Sequence, residues 1–135
     1  MIRVLVVDDH PTIRLGLAVV LGTEPDIELC GSATDGESAI EMARQLLPDV
    51  VLMDLCMPGM DGLAATRAVL ADNAWLRVLV LSAEAHPALV CTAVAAGAAG
   101  FLVKDADSRA LIDAIRTVHH GGPRFAAPAK RILFG

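Results

Sequence analysis

The segment from Val50 to Gly62, which reads VVLMDLCMPGMDG, constrains the fold more than any other part of the sequence. Its first four residues are apolar, Asp54 follows them directly, and turn residues come next. A short apolar run that ends in turn residues is typical of a strand buried on both faces of a parallel sheet. Ligands of such sheets bind beyond the carboxyl ends of the strands. Asp54 is therefore either a functional residue at that edge or simply the start of the turn.

Short apolar segments alternate with helical patterns along the rest of the chain. The strand-like segments are Ile2–Val7, Ile27–Cys30, Val50–Met53, Val78–Leu81 and Phe101–Val103. The helical patterns run from Pro11 to about Leu21 and over Glu37–Leu47, Leu63–Leu70, Pro87–Ala96 and Ser108–His119, with Ser108 as the predicted N-cap of the last. Five strands that alternate with five helices predict an α/β fold, a doubly wound parallel five-stranded sheet covered on both faces.

Polar side chains follow four of these strands, at the edge where a parallel sheet binds its ligands. They are Asp8 and Asp9, Asp54, Ser82, and Lys104. Neighbouring carboxylates raise one another's pKa, so three of them ionise more easily when a cation lies between them. Carboxylate oxygens suit a Mg²⁺ ion that also binds a phosphate. A carboxylate nucleophile with a lysine and a hydroxyl beside it would suit phosphoryl transfer. An acidic cluster without a metal is the alternative.

The charge and hydropathy of the chain exclude several classes of protein. The net charge of −5 argues against a nucleic-acid surface on this chain. No stretch reaches the roughly 20 apolar residues of a membrane span. Asp8 and Asp9 fall where a secretory signal would be apolar. We therefore expect a soluble cytoplasmic protein that does not bind a membrane.

The three cysteines are widely spaced and form no CxxC pair, so they predict neither a disulfide framework nor a zinc site. We expect Cys30 and Cys91 to be small buried hydrophobic residues. Cys56 lies two residues after Asp54. A redox role for Cys56 stays open as an alternative.

Four motifs together resemble the receiver domain of two-component response regulators, over a stretch from about Arg3 to His119. They are Val-Val-Asp8-Asp9-His10, Asp54 within MDLCMPGMDG, Leu81-Ser82-Ala83, and Gly100-Phe101-Leu102-Val103-Lys104-Asp105. The resemblance implies the CheY-like, flavodoxin-type (βα)5 fold with strand order 2-1-3-4-5. DDHP, AAGAAGFLVKD and the small Ala83 are similar to the NarL/FixJ-like branch, whose members usually carry a C-terminal helix-turn-helix.

The resemblance also implies a chemistry for the acidic residues. Asp54 would accept a phosphoryl group from the phosphohistidine of a sensor histidine kinase. Asp9, Asp54 and the backbone carbonyl of Cys56 would bind Mg²⁺ directly, and Asp8 would act through water. Such a protein is a switch that phosphorylates and dephosphorylates itself, not an enzyme acting on outside substrates.

Further residues take roles from the same resemblance. Ser82 and Lys104 would bind the phosphoryl oxygens, and Phe101 corresponds to the switch aromatic of the family, although a simple core aromatic is the alternative. Lys104 is followed by Asp105 rather than by the proline common elsewhere in the superfamily. Cys56 and Glu84 occupy positions that vary in the family and tune the lifetime of the phosphoryl group.

The predicted receiver domain spans residues 1–120, and residues 121–135 are interpreted as a linker or tail. Pro123 and Pro128 suit an exposed connector, and Phe125 to Gly135 is too short for a helix-turn-helix. We expect an absent C-terminal domain to contact DNA and to regulate transcription, with homodimers possible on phosphorylation. A stand-alone receiver that signals through protein contacts is the alternative.

Two other classes of protein fit the motifs less well. A haloacid-dehalogenase-like phosphatase with Asp8 as nucleophile would need a second aspartate where His10 stands. A flavodoxin-like cofactor binder would need a phosphate-binding loop after the first strand, where DDHP would repel phosphate. The four histidines are expected at surface or cap positions, and His10 is expected to line the acidic pocket without acting as a ligand.

Overall fold

A computed structural model describes residues 1–122 and 124–125 of the chain. The strands are β1 (Ile2–Val7), β2 (Ile27–Ala33), β3 (Val50–Asp54), β4 (Arg77–Ser82), β5 (Gly100–Val103) and β6 (Arg124–Phe125). The helices are α1 (Pro11–Gly22), α2 (Gly36–Leu46), α3 (Gly62–Asp72), α4 (Pro87–Ala95) and α5 (Ser108–His119). All neighbouring strands are parallel, in the order β2-β1-β3-β4-β5-β6. The predicted α/β fold with order 2-1-3-4-5 is confirmed.

The sixth strand was not predicted from the sequence. Arg124 and Phe125 pair with Gly100 and Phe101 of β5, so part of the predicted linker 121–135 extends the sheet. After α5 the chain turns through Gly121, whose φ of +91° is a conformation that glycine adopts easily. Residues 123 and 126–135, which include the rest of the predicted linker, lie outside the described residues.

The second strand is longer than its apolar run. β2 continues from Cys30 to Ala33, and its pairing with β1 shifts between Val4 and Leu5 so that Cys30 is passed over. A β-bulge of this kind keeps the strand paired while one residue stays out of register. The strand therefore includes the polar Ser32. Hydrophobic periodicity does not predict this extension of the strand.

Side chains alternate between two hydrophobic cores, one on each face of the sheet. The core under α2, α3 and α4 contains Leu5, Val7, Val51, Met53, Val78, Val80 and Phe101 from the strands, with Ala39, Ala65, Val69, Val90 and Ala93 from the helices. The core under α1 and α5 contains Val4, Val6, Val50, Leu52, Leu79, Leu81 and Leu102, with Leu21, Leu111, Ile112, Ala114, Ile115 and Val118. The central strands are apolar throughout because both of their faces are covered. Within the described residues, no helix has the length and apolar character needed to cross a bilayer.

The cysteines are less buried than expected. Cys30 is half-buried, and Cys56 and Cys91 are exposed free thiols. The prediction that Cys91 is buried is wrong, because α4 is apolar nearly all round and its sequence does not show which face meets the sheet. Burial raises the pKa of the Cys30 thiol above its usual value, which keeps it protonated near neutral pH.

The loop between α3 and β4 carries Trp75, the only tryptophan of the chain. Its side chain is 84% exposed, and its backbone N–H donates a hydrogen bond of 3.0 Å to Asn73 Oδ1. The loop precedes β4, so Trp75 lies at the amino edge of the sheet.

Asp107, and not Ser108, is the N-cap of α5. Its side chain accepts a hydrogen bond of 2.7 Å from the backbone N–H of Ala110, and Ser108 is the first residue of the helix. Both residue types favour the N-cap position, so the sequence alone does not decide between neighbours.

Replacing each of these two residues by alanine tests the cap. Asp107→Ala should lower the free energy of unfolding by about 1 kcal/mol, because one helical N–H loses its acceptor. Ser108→Ala should change it by less than about 0.5 kcal/mol, since exposed residues away from such features contribute little. Urea denaturation followed by far-UV circular dichroism measures both values. A larger loss for Ser108→Ala than for Asp107→Ala would contradict the assignment.

Candidate functional site

The carboxyl ends of the central strands bring the predicted site residues to one edge of the sheet. Val7 pairs with Met53, so Asp8 and Asp54 leave neighbouring strands at the same level. Ser82 is the last residue of β4, and Lys104 follows β5 directly. The convergence follows from the parallel order of the strands, because each strand delivers its last residue to the same edge.

Asp8, Asp54 and Lys104 form a buried charged group. Lys104 Nζ lies 3.0 Å from Asp54 Oδ1 and 3.1 Å from Asp8 Oδ2. The two carboxylates are almost completely buried, with side chains 2% and 1% exposed, and the lysine side chain is 19% exposed. One ammonium thus faces two carboxylates, and the buried group keeps an excess of negative charge.

This environment shifts the pKa values of two of its members. Burial raises the pKa of Asp54 above its usual value, and the Asp8 charge adds to this although Lys104 opposes it. Burial alone would lower the pKa of Lys104, but its bonds to Asp54 and Asp8 outweigh that effect and raise it. Lys104 therefore stays charged at neutral pH.

Some carboxylate oxygens of the pocket lack a partner. Asp54 Oδ1 accepts a hydrogen bond of 3.2 Å from the Cys56 N–H, but Asp54 Oδ2 is buried and accepts none from any described residue. Asp9 Oδ1 is also buried, and no backbone N–H, lysine or arginine of the described residues donates to it. One ligand atom each from Asp8, Asp9, His10 and Asp54 lies within 4.8 Å of the other three. Buried oxygens without donors are costly unless a cation meets them, so these residues fit a bound metal ion.

His10 does more than line the acidic pocket, because it is in direct contact with the acidic residues. Its backbone N–H donates a 2.9 Å hydrogen bond to Asp8 Oδ1. Its ring Nδ1 is 3.0 Å from the same oxygen and 3.1 Å from Asp9 Oδ1. The ring therefore bridges the two carboxylates.

Arg14 also belongs to the site, although no sequence motif indicates it. Its Nη1 donates a 2.8 Å hydrogen bond to the backbone carbonyl of Asp8. Arg14 lies one turn into α1, and an arginine there is not distinguishable in sequence from an ordinary exposed helical residue. The bond fixes the turn that carries the acidic residues.

Ser82 is buried at the site, but its hydroxyl is already bonded. The Oγ donates a hydrogen bond of 2.9 Å to the backbone carbonyl of Glu84, within its own loop. The backbone N–H of Lys104 donates to the Ser82 carbonyl at 2.7 Å, which ties the ends of β4 and β5 together.

Phe101 is fully buried in the core under α2, α3 and α4. This position agrees with a core aromatic and with the inward position of a switch aromatic. Phe101 lies on β5, whose next residues lead directly to Lys104.

Gly62 lets the loop after Asp54 close tightly against β3. A Cβ at this position would overlap the backbone carbonyl of Asp54 and lie 2.8 Å from Leu55 Cα. The Gly62 N–H donates a hydrogen bond of 3.2 Å to the Leu55 carbonyl. No larger residue fits between α3 and the strand end that carries Asp54.

Comparison with known proteins gives one consistent family. Residues 4–116 match the response regulator receiver domain. The chain is 41% identical over 124 residues to the transcriptional regulatory protein LiaR of Bacillus subtilis. The aligned region covers 92% of this chain and 59% of LiaR. Its structure is similar to the signal receiver domain of the putative response regulator NarL from Mycobacterium tuberculosis, with TM-score 0.85, 41% identity, and coverage of 89% and 97%.

A second solved structure, a two-component response regulator of the LuxR family from Aurantimonas sp. SI85-9A1, gives TM-score 0.92 at 30% identity. It covers 97% of this chain and 94% of that chain. The curated relatives are longer, and this chain spans between 51% and 59% of the length of those it matches, with 59% for LiaR.

Proposed function

This chain belongs to the response regulator receiver domains, and from that premise we propose that Asp54 accepts a phosphoryl group from the phosphohistidine of a sensor histidine kinase. The observation that carries the proposal is the state of the Asp54 carboxylate. It is 2% exposed, its Oδ1 lies 3.0 Å from Lys104 Nζ, and its Oδ2 has no hydrogen-bond partner among the described residues. Lys104 thus holds the carboxylate in place, and the two oxygens of Asp54 can be divided between the metal ion and the phosphorus atom.

The transfer is a nucleophilic displacement at phosphorus. An Asp54 carboxylate oxygen attacks the phosphorus atom, and an acyl–phosphate bond forms as the bond from phosphorus to the kinase imidazole breaks. The electron pair of the broken bond returns to the imidazole nitrogen. The Lys104 ammonium 3.0 Å from Asp54 Oδ1 favours the charged carboxylate that this attack requires.

Asp9, Asp54 and the backbone carbonyl of Cys56 are the proposed direct ligands of Mg²⁺, with Asp8 acting through water. Asp8 is already engaged by Lys104 and by the backbone N–H of His10, whereas no lysine or arginine of the described residues pairs with Asp9. A bound Mg²⁺ would neutralise the charge that develops on the phosphoryl oxygens.

Lys104 and Ser82 are proposed to bind the oxygens of the transferred group. Lys104 already lies beside Asp54, but the Ser82 hydroxyl must leave the Glu84 carbonyl before it can donate to a phosphoryl oxygen. Since the new bonds exist only in the phosphorylated state, they supply the free energy that shifts the loop. The responding surface is then α4, β5 with Phe101, and α5.

We further propose that this switch controls transcription. Curated relatives such as LiaR are named transcriptional regulatory proteins and extend beyond the matched region. In this proposal a DNA-binding domain outside the present sequence contacts DNA, and phosphorylation favours homodimers that suit paired half-sites. A phosphatase with Asp8 as nucleophile is less well supported, because His10 stands where such an enzyme would need its second aspartate.

Phosphorylation is tested by incubating the protein with Mg²⁺ and acetyl phosphate and measuring the intact mass. The expected result is one added, acid-labile phosphoryl group per chain, which peptide mapping places on Asp54. Asp54→Ala should abolish the added mass, because it removes the carboxylate that is proposed to attack the phosphorus atom. Asp113→Asn, which removes an exposed carboxylate on α5, is the matched control and should label like the unchanged protein. Stoichiometric labelling of the Asp54→Ala variant would refute the proposal.

A further inference from the structure

We propose that His10 is a metal ligand, and that it lets the acidic pocket bind a borderline transition-metal ion such as Ni²⁺ or Zn²⁺ in competition with Mg²⁺. The inference rests on the cation site of the proposed function, and it adds an imidazole to a set of oxygen ligands. The sequence predicted a magnesium site, for which an imidazole offers little. The structure places the ring where it can bind a metal ion that accepts nitrogen ligands.

The first argument is geometric. His10 Nδ1 lies 3.0 Å from Asp8 Oδ1 and 3.1 Å from Asp9 Oδ1, and a ligand atom of Asp54 completes a group within 4.8 Å. Atoms on opposite sides of one metal ion are about 4 Å apart, because each bond is about 2 Å long. The four groups therefore need only small movements to share an ion.

The backbone explains why the ring points into the pocket. His10 is the N-cap residue of α1, yet within residues 1–122 its side chain makes no capping hydrogen bond. Its backbone N–H is held by Asp8 Oδ1 instead, and Pro11 begins the helix without needing an acceptor for an N–H. The ring is thus free of a structural role in the helix and stays beside the carboxylates.

A second, independent observation indicates that the pocket can bind a cation. Asp54 is 2% exposed, and its Oδ2 accepts no hydrogen bond from any described residue. Lys104 and Arg14 supply two positive charges against three carboxylates, those of the buried Asp8 and Asp54 and of the nearby Asp9. A divalent ion bound by these oxygens would satisfy the free atom and balance the remaining charge.

The chemistry of the ligands selects the class of metal. Mg²⁺ prefers oxygen ligands and keeps several waters, so its binding depends on the carboxylates alone. Imidazole suits Ni²⁺ and Zn²⁺, whose affinity for such sites also exceeds that of harder ions. A metal ion would bind Nδ1 of the neutral imidazole, whose hydrogen is then on the other ring nitrogen.

The test compares Ni²⁺ and Mg²⁺ binding by isothermal titration calorimetry. All proteins carry Cys56→Ser, which removes the exposed thiol near Asp54 but keeps the backbone carbonyl. In this background His10→Asn, whose amide nitrogen can still donate to the carboxylates, should weaken Ni²⁺ binding at least tenfold and leave the Mg²⁺ dissociation constant within about twofold. His10→Ala should behave in the same way, which excludes an effect of the new amide oxygen.

The control removes two adjacent histidines that lie far from the pocket. His119→Gln/His120→Gln changes two imidazoles at the far end of α5 and should leave the tight Ni²⁺ site intact. Equal Ni²⁺ affinity in the background protein and both His10 variants would overturn the inference while leaving the proposed magnesium site standing. Absence of Mg²⁺ binding to the background protein would instead refute the magnesium part of the proposed function, and a His10-dependent Ni²⁺ site would still support this one.

Discussion

Lys104→Met should lower the free energy of unfolding of the metal-free protein by about 3 kcal/mol at neutral pH, because it leaves two buried carboxylates without their shared counter-charge. Lys104 Nζ lies within 3.1 Å of both Asp8 and Asp54, whose side chains are almost fully buried. Methionine keeps much of the volume of the lysine stem, so the loss comes from charge rather than from packing. Chemical denaturation followed by far-UV circular dichroism measures it.

Two further variants separate the charge effect from other causes. Arg109→Met removes a positive charge at an exposed position of α5 and should change stability by less than about 0.5 kcal/mol. Lys104→Met/Asp54→Asn removes one of the two repelling carboxylates and should recover part of the lost stability. A double variant no more stable than Lys104→Met would contradict the charge explanation.

The loss in Lys104→Met should also depend on pH. The pKa of Asp54 already lies above its ordinary value of 3.8 because of burial, and removing the ammonium raises it further. A carboxyl whose pKa is higher in the folded than in the unfolded state binds its proton first in the folded state. Stability therefore falls as the pH rises from the unfolded pKa through the folded one. The variant should differ least from the unchanged protein near pH 4 and most at neutral pH.

Gly62→Ala should destabilise the fold by about 3 kcal/mol, because its Cβ would overlap the Asp54 carbonyl and press on Leu55. Backbone atoms on both sides cannot rotate away, so either β3 or the start of α3 must move. Either movement displaces Asp54, and phosphorylation from acetyl phosphate should fall together with stability. The midpoint of urea denaturation gives the first effect and intact mass gives the second.

Gly16→Ala is the matched control for this substitution. Gly16 lies within α1, and an added Cβ there would meet nothing within 4 Å. Alanine favours a helix over glycine by up to about 1 kcal/mol, so this variant should be more stable than the unchanged protein. If Gly62→Ala were as stable as the unchanged protein, the close approach of α3 to the end of β3 would be refuted.

Much of the fold was predictable because the chain repeats one simple pattern. Each central strand is an apolar run covered on both faces, and parallel strands that are joined by right-handed crossovers leave few possible arrangements. The same order places Asp8, Asp54 and Lys104 at one edge, so their proximity followed from the positions of the strand ends. Periodicity and strand order together therefore predicted which residues would meet.

The features that the sequence did not predict depend on local geometry. β6 has two residues, which is too few for any periodic pattern. Asp107 and Ser108 are both good capping residues, and only the direction of the Ala110 N–H decides between them. The bond from Ser82 to the Glu84 carbonyl and the tight fit at Gly62 depend on a side-chain rotamer and on one close approach of the backbone. Neither of these two features can be predicted from residue spacing or composition.

The position of Trp75 decides how this protein is best followed in solution. The chain has one tryptophan and no tyrosine, and the indole is 84% exposed at the edge of the sheet opposite Asp54. Its emission in the folded protein should already be that of an indole in water, so we expect neither unfolding nor phosphorylation to change it much. A fluorescent reporter of the site requires Trp75→Phe together with Cys56→Trp, which places the only indole at an exposed position two residues from Asp54.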